Sequence, residues 1–471
     1  MIRWFFERTK RTRHVNALHR RFCSSWCTVL CLLFATRIYY PVTNARGSRW
    51  GQRIVWSSDF HISGPADVKH VLEEQGSDIL IRDESLSGHC HLTSTCATRL
   101  SVLNSTNGIT LGECPNELKR EFWETYANHE LLADVDAVLI TYAIGLSELF
   151  MSFDVPMIII VPVRYEVGRL STDSWTRLNT NLRNIASNDR NTLAANNIYD
   201  LQYLRHFTGI QNVRYIPNFC GYTKYTYKPS RSHVLIGPSR HSPGGELLVS
   251  DEKVGLLPAF ESQRAAFPDL NFATVRELYP QYKFSDIAAH PAVVIIPYAN
   301  SVMSVIEYYR MGIPLFAPSL DLLVHWQTDH LIMNEISWSC IYGACGNSSC
   351  IEPHPSSPHD SQYDPNNLTD VTSMRYWLNY SDFYQWPGVT YFDNWTDLFE
   401  KISRTNLHAV HAEMMQHNKL TYEYILGEWE DVFNRAFANS KHRRVGHTDL
   451  SWNSAMKQSY PNVPDEILGR C

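Results

Sequence analysis

The amino-acid sequence predicts an α/β protein made of two doubly wound parallel sheets facing one cleft. Three observations point there. Short apolar runs alternate with helix-length stretches, the pattern of strand–helix–strand units. The run 156–162 is almost wholly apolar, as a strand covered on both faces must be. A polar, aromatic stretch at 218–231 then interrupts the pattern, which restarts at Ser232. A length of 471 residues accommodates two or three domains. With 44% apolar and 19% charged residues, the chain can bury a large core, which excludes a disordered or fibrous body.

In chain order, strands are expected at 53–57, 77–81, 136–142, 156–162 and 212–216, with helices near 66–75 and 146–153. The second half opens with strands at 232–236, 272–275 and 292–296. A helix at 301–311 follows, stopped by Gly312, and then a strand at 313–317. Segment 339–372 carries three Cys among many Pro, Ser and Asn and reads as a loop, whereas 396–402 and 408–437 read as helical. The expected organisation is a first domain at 50–220, a second at 230–400, C-terminal helices at 401–438 and a polar tail at 439–471.

The net charge of −6 is unevenly spread. Residues 1–22 hold seven Lys/Arg and one Glu, a charge of +6 that leaves −12 on the rest. An acidic body argues against nucleic acid as the main ligand, because phosphate contacts need a basic footprint. After the basic tail, 1–21, the 15 residues from Phe22 to Thr36 are uncharged, and Arg37, Tyr39 and Tyr40 suit the interface beyond them. Segment 22–42 therefore reads as a signal anchor, with a cleaved signal peptide as its rival. The positive-inside rule leaves the tail cytosolic and the body lumenal, a single-pass type II arrangement. Sequons at Asn104, Asn347, Asn367, Asn379 and Asn394 fit that placement. So does an even set of eight Cys beyond the anchor (90, 96, 114, 220, 340, 345, 350 and 471), expected to form disulfides in an oxidising compartment.

Ligands of open parallel sheets bind at the carboxyl ends of the strands. Several candidates lie there. Asn300, Ser301 and Ser304 open a helix whose amino end can receive a diphosphate. Glu307 lies one turn further on the same face, where a carboxylate can accept ribose hydroxyls. Arg240, in Gly237-Pro-Ser-Arg, follows the first strand of the second half and suits a β-phosphate. In the first half, His61 follows the first strand and suits a general base, with Asp59 as its orienting partner. Arg164, Glu166 and Arg169 follow the strand at 156–162, with Glu166 as a base and the arginines as phosphate or acceptor contacts. Asp134 and Asp136 form an Asp-x-Asp triplet, read as the entry to a strand and not as a metal site.

Together, the two Rossmann-like halves and the stretch Pro297–Pro318, with its small residues, Glu307 and Gly312-Ile-Pro, resemble GT-B fold glycosyltransferases. The resemblance covers roughly 50–435. It implies an acceptor-binding first domain and a donor-binding second domain with a nucleotide-sugar donor. It also implies a glycan, protein or lipid acceptor, no nucleic acid partner and no cofactor or metal, the helix dipole and an Arg replacing the cation. The expected activity is a sugar transfer in the Golgi or endoplasmic reticulum membrane. A nucleotide-sugar epimerase or hydrolase, and a non-catalytic lumenal binding protein, are the alternatives, because fold alone does not settle activity.

Overall fold

The computed structural model describes residues 50–112, 114–238, 256–333, 335–336, 348–438 and 451–460. Two separate parallel sheets organise them. The first has the order β2-β1-β3-β4-β5-β6, from β1 (Arg53–Ser57), β2 (Ile79–Asp83), β3 (Ala137–Ile140), β4 (Met157–Val161), β5 (Thr192–Ala195) and β6 (Arg214–Tyr215). The second has the order β11-β10-β9-β7-β8, from β7 (His233–Ile236), β8 (Asn271–Thr274), β9 (Val293–Val294), β10 (Leu315–Pro318) and β11 (Val389–Phe392). Every pairing is parallel. In both sheets the first strand is followed by a neighbour on one side, and the later strands then build out on the other. The strand order therefore reverses between β1 and β3, and again between β7 and β9. The two crevices at those reversals are where such sheets take ligands.

β4 is buried at all five positions, which explains its unbroken apolar sequence. Strands β5 and β11 escaped the sequence reading. Thr-Leu-Ala-Ala and Val-Thr-Tyr-Phe are short, and neither shows a clean alternation.

The helix Leu407–Phe437 ties the halves together. Its Met414 belongs to the core of the second domain, while Ile425, Trp429, Val432, Phe433 and Phe437 pack on the first sheet with Val55 and Ile158. The helix Val371–Leu378 does the same: Met374 and Leu378 join the second core and Trp377 the first. The stretch at 439–471, expected to be a polar tail, contains the helix Trp452–Ser459, whose Trp452, Ala455 and Met456 are buried in the first core. Those three apolar positions make one stripe on an otherwise polar helix, too short to register as periodicity. Part of the expected loop at 339–372 is also anchored, since Cys350, Ile351 and Tyr363 pack against the first core.

Cys90 and Cys96 form a disulfide, and Cys114 and Cys350 are also disulfide-bonded. The expectation of disulfides for all eight Cys is corrected at Cys220, a buried free thiol beside the Met303 sulfur, 3.6 Å away. The basic tail, the segment 22–42 and Arg240 lie outside the described residues. Among the described residues no helix is long and apolar enough to cross a membrane.

Candidate active site

A cavity of about 1260 Å³ opens between the carboxyl edges of the two sheets. His61, Thr141 and Arg164 line it from the first domain, and Gly237, Ser301, Ser304 and Glu307 from the second. Both strand-order reversals open onto it, so topology alone brings these distant residues together.

On the second side, the helix Met303–Arg310 begins at the cavity. Its first residue is preceded by Val302, and no side chain caps it. The backbone N–H groups of Met303 and Ser304 meet no acceptor among the described residues. An amino end left open in this way carries partial positive charge and unpaired donors, which together suit an anion. Glu307 sits one turn inside. Its Oε1 accepts a hydrogen bond from the Tyr222 hydroxyl at 2.8 Å. Burial lifts its pKa from 4.5 to about 7; the Tyr222 bond opposes that rise and the nearby Asp67 adds to it.

Ser301 faces the cavity but already donates its hydroxyl to Asp382 Oδ2 at 2.6 Å, so it can offer a ligand its lone pairs and not its proton. Burial raises Asp382 to about 7. Asn300 lies behind the cavity wall, not in it. It is fully buried and takes the Ser381 hydroxyl on Oδ1 at 3.0 Å, and its carbonyl accepts the Asp382 amide at 3.0 Å. Its part is to hold the turn before the helix.

On the first side, His61 projects from the loop after β1. Its Nδ1 is 2.8 Å from the Ser63 hydroxyl, and its ring stacks on Tyr142 with centroids 5.7 Å apart. Enclosure by the cleft, with His89 nearby, holds its pKa below the usual imidazole value, so the ring is neutral at neutral pH and free to take a proton. Asp59 does not orient this ring, which corrects the expectation. Its carboxylate is buried and accepts the backbone N–H of His61 and the Thr141 hydroxyl. Asp59 shapes the loop, and Ser63 holds the imidazole.

The charge cluster after β4 is also corrected. Glu166 lies beneath the wall, accepting the Tyr203 hydroxyl at 2.9 Å, and does not line the cavity. Burial lifts it to about 7, but no acceptor can reach it. Arg169 points away from the cleft and pairs with Glu148 at 2.7 Å and with the carbonyls of Ile109 and Thr110. Arg164 does line the cavity, yet its Nη2 donates across the domain boundary to the Glu335 carbonyl at 2.7 Å, and its Nη1 stands 3.9 Å from Asp200. It ties the domains together. Asp134 and Asp136 are held by Arg82 at 2.6 Å and Arg53 at 2.8 Å, which makes them anchors at the start of β3.

Sequence reasoning missed Tyr222, Asp67, Thr141 and Asp382. Each acts through a residue 81 to 85 positions away, or through backbone groups 152 and 153 positions away in the case of Asp67. No local spacing signals such a contact.

No protein-family profile matches the chain, and no curated protein sequence is similar to it. Among solved structures, it is similar to the glycosyltransferase SnogD from Streptomyces nogalater, with a TM-score of 0.35 and 10% identity, over 81% of this chain and 99% of that one. It is also similar to the spinosyn rhamnosyltransferase SpnG complexed with thymidine diphosphate, with a TM-score of 0.36 and 10% identity, over 80% of this chain and 100% of that one. At that level of overlap neither assigns a role to any residue here.

Proposed function

We propose that this protein is a glycosyltransferase moving a sugar from a nucleotide-sugar to a hydroxyl of a glycan, protein or lipid. The observation that carries the reading is the uncapped amino end of Met303–Arg310 opening on the shared cavity, with Glu307 one turn further in. A diphosphate fits the former and a ribose the latter. In the proposed reaction the acceptor oxygen bonds to the anomeric carbon as that carbon's bond to the phosphate oxygen breaks. The nucleoside diphosphate leaves with the bonding pair, and the acceptor proton passes to His61. Charge on the leaving diphosphate falls on the helix amides, so the reading calls for no resident metal or other cofactor.

The proposal also places the protein in the Golgi or endoplasmic reticulum membrane, anchored by 22–42 with the body lumenal. The charge pattern of the first 42 residues supports this, as do the Cys90–Cys96 disulfide and the exposed sequons at Asn104, Asn379 and Asn394.

Thermal unfolding with UDP, GDP and CMP tests the donor site. A ligand at a hundred times its Kd adds about 2.7 kcal/mol, a readable rise in Tm. The expected result is a rise with one nucleotide that Glu307→Gln removes. If no nucleotide shifts the melting and Glu307→Ala changes nothing, the donor site is wrong. Consumption of nucleotide-sugar only when an acceptor is present then separates transfer from hydrolysis, and no consumption at all indicates a binding protein.

A further inference from the structure

The segment joining the two domains runs past the candidate donor site, and one of its side chains enters it. Tyr222, in the short turn Gly221–Thr223, lines the cavity and donates its hydroxyl to Glu307 Oε1 at 2.8 Å. Among the described residues, Tyr222 is the one side chain that hydrogen-bonds the Glu307 carboxylate. The turn is itself held from the first domain, where Asp67 in the helix Ser63–Glu74 accepts the backbone N–H groups of Phe219 at 3.1 Å and Cys220 at 2.7 Å. Arg310, one turn beyond Glu307, completes the clamp by donating to the Asn218 carbonyl at 3.1 Å. The donor-side carboxylate is thus wired to the domain connection on one oxygen.

We propose that Tyr222 is a positioning residue for the donor: it fixes one oxygen of Glu307 and presents the other oxygen to a ribose hydroxyl. This rests on the reading of the cavity as a nucleotide-sugar site. Both oxygens of a carboxyl group act as hydrogen-bond acceptors without a competing O–H donor only when the group is ionised, and burial works against ionisation here. The groups around it divide by sign. Asp67 in the first domain raises its proton affinity, and the Tyr222 hydroxyl lowers it. Cys220, Tyr282 and Tyr308 also lie close to Glu307, and burial pushes each of them above its usual value, so all three stay neutral. Arg310 is turned to Asn218 and Asn418. The Tyr222 bond is therefore the side-chain contact that favours the charged form of Glu307.

The test reads the Glu307 carboxyl with and without ligand. Infrared difference spectra between wild type and Glu307→Gln follow its protonation across pH, with no nucleotide present. Tyr222→Phe is expected to raise the midpoint by about one pH unit, the effect of losing one hydrogen bond to the charged form. Asp67→Asn, which removes a like charge, is expected to lower it. Binding of the nucleotide that stabilises the wild type should weaken as pH falls through the midpoint, and Tyr222→Phe should carry that limb upward with the carboxyl. Affinity at pH 7 then drops several-fold, and affinity at pH 9 stays near wild type. A merely structural role would weaken binding equally at every pH. Midpoints unmoved in both variants overturn the inference, even if Glu307→Gln still loses nucleotide. If the midpoints move but the wild type binds no nucleotide, the proposed function fails, and the donor role of Tyr222 with it.

Discussion

Replacing Asp59 by Asn should make the protein's stability less dependent on pH, by an amount the structure sets. The Asp59 carboxylate is 1% exposed at the head of the loop that carries His61. It accepts the His61 amide and the Thr141 hydroxyl, yet burial outweighs both, and with Asp83 adding to the effect its pKa rises from 3.8 to about 7. The folded chain holds a proton here that the unfolded chain has released. Stability from this group is fully present below pH 3.8 and is lost as pH rises through about 7. Between pH 5 and pH 8 the loss is about 3 kcal/mol, taking 1.36 kcal/mol per unit. Asn cannot ionise. Its Oδ1 can still accept the His61 amide, and its Nδ2 can donate to Thr141, so the loop keeps its shape. Urea unfolding at pH 5, 6, 7 and 8 should show the stability difference between Asp59→Asn and wild type shift in the variant's favour by about 3 kcal/mol from pH 5 to pH 8. A gap that stays constant across the series refutes the reasoning.

Other consequences follow from packing and exposure. Trp429 is buried where the helix Leu407–Phe437 lies on the first sheet, stacked on Phe433 at 5.4 Å; Trp429→Ala should cost about 3–5 kcal/mol by urea unfolding. A loss below 1 kcal/mol would mean that the crossing helix does not secure the first domain. His206 and His359 clamp the segment around Ser357 onto the helix Ile198–Thr208, and burial lowers both from 6.5 to about 4. The stability they contribute as neutral rings is present above pH 6.5 and lost as pH falls through about 4, so protection against hydrogen exchange in residues 354–360 should fall over that range, and constant protection would contradict it. The full chain expressed in a secretory cell should lose mass on treatment with an N-glycosidase, with Asn104, Asn379 and Asn394 occupied; an unmodified chain would contradict the lumenal placement.

Much of this was legible in the sequence, and the exceptions have physical causes. β4 and the helix before Gly312 declare themselves, since an apolar run and a Gly-terminated helix are local patterns. The positions of Ser304 and Glu307 on one helix face follow from helical spacing alone. Glu166 and Arg169 misled because residues that directly follow a strand can turn either into a crevice or back under it. Tyr203 and Glu148, which decide the direction, come from other parts of the chain. The role of Tyr222 was hidden for the same reason: its sequence context is a polar connection, and its partner is 85 residues away. Helix Trp452–Ser459 shows the limit from another side, because three apolar residues in eight become informative only once a core exists to receive them.

A crystal structure with the stabilising nucleoside diphosphate bound measures the central claim directly. The pyrophosphate should lie within hydrogen-bond distance of the Met303 and Ser304 amides, with a ribose hydroxyl on Glu307 Oε2. A nucleotide seated outside the cavity, or inside it with its phosphates turned away from that helix, would contradict the account.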